Sequence, residues 1–159
     1  MLAEAAAEPD ILYVEPGQLT VCTEPRRLRT ILGSCVSVCL YDPELRHGGM
    51  NHFMLPSAPS DVESSTRYGN RAMPILVERL ERLGSERRRL TAGVFGGARV
   101  LFGDSEFMHL GRRNAEFALE WLSEHGISVV SSGLLGSVAR RLEFDIGTGE
   151  CAERTLGGR

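Results

Sequence analysis

Long apolar runs are absent from this sequence, and so is any excess of positive charge. No stretch approaches the roughly 20 apolar residues that a membrane-crossing helix needs. The segment from Met1 to Asp10 is rich in Ala and Glu, with no basic region ahead of an apolar one, so it does not read as a signal peptide. The expectation is a cytoplasmic protein without membrane insertion. With 18 Lys and Arg against 21 Asp and Glu, the net charge of −3 offers no basic face to nucleic acid. Aromatic residues make up only 6%, which leaves the core to be built mainly from aliphatic side chains.

Cysteine is scarce as well. Cys22, Cys35, Cys39 and Cys151 show no disulfide-framework spacing, and a reducing compartment keeps each of them a thiol. If the segment from Cys35 to Cys39 is extended, the two lie about 13 Å apart, too far for one metal ion or a disulfide. Each cysteine therefore needs its own explanation.

What is present fits one domain of 159 residues with a real hydrophobic core. Residues 1–10 read as a flexible leader, and 11–159 as a single domain. Ile11 to Val14, Gln18 to Thr23 and Arg29 to Leu32 are short, partly alternating and broken by Glu15-Pro16-Gly17 and Glu24-Pro25, which predicts three strands. Val36 to Tyr41 alternates with a period of two, placing Ser37, Cys39 and Tyr41 on one face, the side to which Cys35 also points. A loop through His47 leads to another strand from Gly49 to Leu55, and a polar loop runs from Ser57 to Arg67. Helical periodicity covers Asn70 to Leu83, with Pro74 in its first turn, and Arg112 to His125, with Ala115, Ala118, Leu119 and Leu122 as its stripe. Strands are expected over Leu90 to Phe95, Ile127 to Ser131 and Arg141 to Ile146. The order predicts an α+β fold in which two main helices cover a β-sheet or sandwich core.

Two residues stand out chemically. Cys35 follows Gly33-Ser34, where the missing Cβ of the glycine lets the backbone bend, and His52 lies on the next predicted strand. Consecutive strands tend to be neighbours, so a thiol nucleophile and its base can meet. The N–H groups of Ser34 and Cys35 sit where an oxyanion would form. These residues alone leave two readings open, since free cysteines usually pack as small hydrophobes and histidines in strands are usually structural.

A wider comparison of motifs narrows the choice. Thr30-Ile31-Leu32-Gly33-Ser34-Cys35-Val36-Ser37-Val38-Cys39-Leu40-Tyr41-Asp42 and Gly48-Gly49-Met50-Asn51-His52-Phe53-Met54-Leu55-Pro56 closely resemble the chemoreceptor glutamine deamidase family, CheD. Arg67-Tyr68-Gly69-Asn70, Gly96-Gly97-Ala98-Arg99 and Gly111-Arg112-Arg113-Asn114 continue the resemblance. It implies an amidohydrolase that converts glutamines of bacterial chemoreceptor helices to glutamates and also hydrolyses receptor methyl esters. It assigns Cys35 as nucleophile, His52 as general base and acid, and Thr30 as the residue that orients the histidine, with Thr23 the poorer candidate. Neither metal nor cofactor is called for. The chemotaxis phosphatase CheC is the implied protein partner, and a non-catalytic docking role on receptors or CheC is the competing reading. If His52 activates Cys35, alkylation by iodoacetamide should stay fast below the free thiol's pKa of about 8.5.

The remaining candidates have plainer expectations. Cys22, Cys39 and Cys151 should be packing residues, and His47 and His109 surface residues. His125 suits the C-terminal end of a helix. Glu86-Arg87-Arg88-Arg89 reads as a solvated connection, with a docking patch as its alternative. The chain departs from the family pattern at Ser132-Gly133-Leu134-Leu135-Gly136-Ser137, which places the usual roles of Arg140 and Arg141 in question.

Overall fold

The computed structural model describes residues 10–58, 65–99 and 109–157. Residues 1–9 of the expected leader and 59–64 of the expected polar loop lie outside them. The chain forms β1 (Ile11–Tyr13), β2 (Leu19–Cys22), β3 (Arg27–Leu32), β4 (Val36–Asp42), β5 (His47–Asn51), α1 (Gly69–Arg82), β6 (Thr91–Gly96), α2 (Leu110–Glu124), β7 (Ser128–Leu134), β8 (Arg140–Asp145) and β9 (Cys151–Thr155). The strands make a four-stranded sheet, β1-β3-β8-β9, and a five-stranded sheet, β2-β5-β4-β6-β7. Both sheets are mixed, with β1 parallel to β3 and β6 parallel to β7. This is the α+β architecture predicted from the order of elements.

Three layers result. Val36, Val38 and Leu40 of β4 meet Ala72, Leu76 and Leu80 of α1 and Ala118 and Leu122 of α2. On the opposite face, Cys39 and Tyr41 meet Leu28, Leu142 and Phe144 of the other sheet. All seven residues of β4 are buried, because it is covered by helices on one side and by a sheet on the other. Gly49 of β5 permits this packing: a Cβ there would lie 2.9 Å from Leu76 Cδ1 and 2.7 Å from the Thr20 carbonyl. The closeness of α1 to the sheet depends on that missing atom.

Several boundaries differ from expectation, each for a local reason. β5 starts at His47 and ends at Asn51, before the predicted Leu55. Asn51 Oδ1 accepts the Val38 N–H at 2.8 Å, and this side-chain bond interrupts the ladder just ahead of His52. Only the single Val36–Phe53 bridge resumes it. α1 begins at Gly69, so Pro74 falls in its second turn rather than its first. β9 was not expected; its exposed, charged sequence shows little apolar alternation, and it is held by antiparallel pairing with β8. No helix among the described residues is long and apolar enough to cross a membrane.

Candidate active site

The site forms where the chain passes from one sheet to the other. Thr30 lies on β3, whose inward positions are Leu28, Thr30 and Leu32, so alternation alone drives a polar side chain into the interior. Gly33, Ser34 and Cys35 make the crossing, and β4 begins at Val36. His52 directly follows β5. The Val36–Phe53 bridge continues the β4–β5 register, in which Ser37 stands opposite His52 and Cys35 two residues earlier on the same face. Extended past the strand ends, this register assigns the thiol and the imidazole to the same side of the sheet, though Cys35 is not among the residues lining the cavity beside His52. No hydrogen bond joins them among the described residues.

The imidazole is held firmly. Its residue is 1% exposed, its backbone N–H donates to the Gln18 carbonyl, and its own carbonyl accepts from Gly17. The Thr30 hydroxyl donates to the Val14 carbonyl at 2.6 Å. The oxygen of that hydroxyl therefore has a lone pair for His52 Nδ1, which lies 2.7 Å away. Val14 O, 3.3 Å from the same nitrogen, can only accept. Both neighbours place the proton of the neutral ring on Nδ1, which leaves Nε2 as the basic nitrogen. A cavity of about 300 Å³ opens here, lined by Tyr13, Glu15 and Ile31 as well as Val14, Thr30 and His52.

Charge is disfavoured at both partners. Burial pushes the Cys35 thiol above its ordinary value. Burial also pushes His52 below the usual histidine range, against the smaller upward pull of the Val14 carbonyl and Glu15. Both shifts run toward the neutral form of the group, as removal from water requires. Neither shift favours a standing thiolate, and the alkylation profile of Cys35 is the measurement that reads this directly.

The bend itself is anchored from behind. Ala98 N–H donates to the Gly33 carbonyl and Gly97 N–H to the Cys35 carbonyl, each at 2.9 Å. Asn114 of α2, fully buried, donates from Nδ2 to the Ser34 carbonyl at 2.9 Å and to the Met54 carbonyl at 3.0 Å. Gly96, at φ +111°, comes so close that a Cβ would collide with the Cys35 carbonyl oxygen. Sequence reasoning named these motifs without a role. The available signal was a polar residue, Asn114, four before Ala118 on the apolar stripe of α2.

The other candidates resolve as structural. Cys39, 1% exposed, belongs to the cluster against which Cys151 packs, a neighbour its strand pattern did not reveal; burial first and Cys151 second push the Cys39 thiol up. Cys22 is buried, and Thr23 is exposed beyond the end of β2. Ser37 is fully buried and does not reach solvent. His109 is exposed, whereas His47 opens β5 and is half-buried. His125 Nδ1–H donates to the Trp121 carbonyl at 2.7 Å, closing α2. Arg88 pairs with Glu86, as a solvated connection would, but Arg89 turns inward onto Asp42. Arg140, 6% exposed, donates to the carbonyls of Gly133 and Leu135, so it staples the β7–β8 connection.

Comparison with known proteins adds an independent line. Residues 54–155 match the family described as CheD chemotactic sensory transduction, a span that begins two residues after His52. Relatives extend the similarity over the rest of the chain. A probable chemoreceptor glutamine deamidase CheD of Ralstonia pickettii is 42% identical, across 98% of this chain and 71% of its own. Probable deamidase CheD 1 of Anaeromyxobacter dehalogenans is 43% identical, across 91% and 84%. The Rhizobium leguminosarum relative is 40% identical, across 99% and 85%.

Proposed function

Because the chain belongs to the CheD family, we propose that it is a protein-glutamine glutaminase that deamidates chemoreceptor glutamines with Cys35 as nucleophile and His52 as base. The observation that carries this reading is the Val14–Thr30–His52 relay, which presents Nε2 as a base on the face shared with Cys35.

The chemistry follows from burial that disfavours charge on both groups. His52 Nε2 takes the Cys35 proton as the sulfur attacks the glutamine carboxamide, so the charged forms arise only as the bond forms. The oxygen of the tetrahedral intermediate carries the negative charge, and the N–H groups of Ser34 and Cys35 receive it. The imidazolium returns its proton to the departing nitrogen, and ammonia leaves a thioester. Water, deprotonated by His52, attacks the thioester and releases glutamate and the free thiol. A glutamyl methyl ester follows the same path with methanol as the leaving group.

Tyr13 and Ile31, both more than half exposed at the cavity mouth, offer apolar surface against which a receptor helix can lie. The test is ammonia release from a purified chemoreceptor cytoplasmic fragment, with mass spectrometry of the converted glutamines. Wild type should release ammonia, and Cys35→Ala should not. Equal release by the two would remove Cys35 from the reaction. Receptor capture by both without any ammonia would favour the docking role.

A further inference from the structure

Three successive carbonyls of the nucleophile bend are each tied down: Gly33 O by Ala98 N–H, Ser34 O by Asn114 Nδ2 and Cys35 O by Gly97 N–H. Among the described residues no peptide bond is cis, so each N–H there points opposite to the carbonyl of its own peptide unit. Holding Gly33 O therefore aims the Ser34 N–H, and holding Ser34 O aims the Cys35 N–H, away from the anchoring groups. Among the described residues, neither N–H donates a hydrogen bond. Val36 N–H, next in line, is already bonded to the Phe53 carbonyl.

We propose that Asn114 is a positioning residue for catalysis: its amide orients the Ser34–Cys35 peptide so that the Cys35 N–H forms the oxyanion site. This rests on the deamidase reading above and adds a residue to it. Two of the three anchors are backbone amides, and Asn114 is the side chain among them. The same amide reaches Met54 O, so it also fixes the bend relative to the segment that carries His52. Both of its neighbours are carbonyl acceptors, and only the NH₂ end can face them. The cost of this orientation is visible, because Asn114 Oδ1 is buried with no partner among the described residues. An unpaired buried acceptor is destabilising, which suits a side chain retained for where it points rather than for stability.

The experiment compares wild type, Asn114→Leu and Asn114→Asp on a purified chemoreceptor cytoplasmic fragment, with iodoacetamide alkylation of Cys35 measured in parallel. Loss of one oxyanion donor lowers kcat by about 10²- to 10³-fold, and misalignment should approach the lower figure. Asn114→Leu should lose about 10²-fold in kcat with KM and alkylation rate within about twofold of wild type. Alkylation forms no oxyanion, so it reports the thiol and its base alone. In Asn114→Asp a protonated carboxyl keeps one donor and an ionised one keeps none, so its kcat relative to wild type should rise as pH falls. Unchanged kcat in Asn114→Leu, or alkylation falling in step with kcat, would overturn the proposal. So would failure of both variants to fold, which would assign Asn114 to stability. If instead Cys35→Ala matches wild type, it is the deamidase reading that fails.

Discussion

Polar groups gather at the two ends of β4, and they are finished differently. At its C-terminal end, Asp42 is fully buried and surrounded by donors: Arg89 Nη2 at 2.9 Å and Nε at 3.2 Å, with the N–H groups of Glu44 and Leu45. Burial pushes its carboxyl up, but Arg89, Ser85 and those backbone groups outweigh it and bring the pKa down to about 2. At the N-terminal end, burial disfavours charge on Cys35 and on His52, and among the described residues two N–H groups of the bend donate no hydrogen bond. One cluster pairs its carboxylate with a guanidinium and backbone donors and carries charge at rest. The other is rigid but left open, which is what a site needs if charge is to develop there only during reaction.

This contrast predicts that substitutions at the two ends separate activity from stability. The largest effect belongs to His52→Ala, which should lower kcat for ammonia release by about 10³-fold, within the range for loss of a general base. Its thermal unfolding should move little by comparison. Asp42→Ala should do the reverse, losing about 3 kcal/mol of stability in urea titration because Arg89 is left without its carboxylate in a partly buried position. The rate per folded molecule should be unchanged. A large loss of kcat in folded Asp42→Ala would break the comparison.

Thr30→Val removes one hydrogen bond to Nδ1 and keeps the shape. A net loss of about 1 kcal/mol corresponds to roughly fivefold in kcat, so the variant should fall between wild type and His52→Ala. A loss as large as that of His52→Ala would mean that Thr30 reacts directly.

Two pH profiles complete the series. The base must be neutral to act, and His52 is depressed below 6.5, so the acid limb of kcat/KM should have its midpoint below that value. A midpoint above 7 would contradict a buried, neutral imidazole. For Asp42 the folded pKa lies below the unfolded one, so its stabilisation is present above the unfolded value near 3.8 and disappears as pH falls through about 2. The stability gap between wild type and Asp42→Asn should close over that interval. A gap independent of pH would show that the carboxylate's charge does not matter.

Some of this design is written locally. Leu28, Thr30 and Leu32 share a strand face by period two, so a polar threonine directed inward is legible before any fold is known. Asn114 on the stripe of Ala115, Ala118 and Leu122 is legible by the same argument, although its purpose is not. Arg89 was hidden in a basic run because nothing in Glu86-Arg87-Arg88-Arg89 tells which arginine turns inward. Cys39 and Cys151 come from strands of different sheets, and no periodicity connects them. β9 was missed because its identity as a strand comes from β8, with little apolar alternation of its own.

By itself, then, the sequence determined most of the element types, the inward faces of the strands it marked and, through its family motifs, the candidates Cys35, His52 and Thr30. Short-range steric and hydrophobic periodicity suffices for the first two. Only the tertiary structure decided that Val14 and Thr30 set the histidine's tautomer, that Arg89 closes on Asp42, and that α2 reaches over to anchor the bend at Cys35. Those decisions depend on distances between segments far apart in the chain, where local preference carries no information about which polar group will meet which.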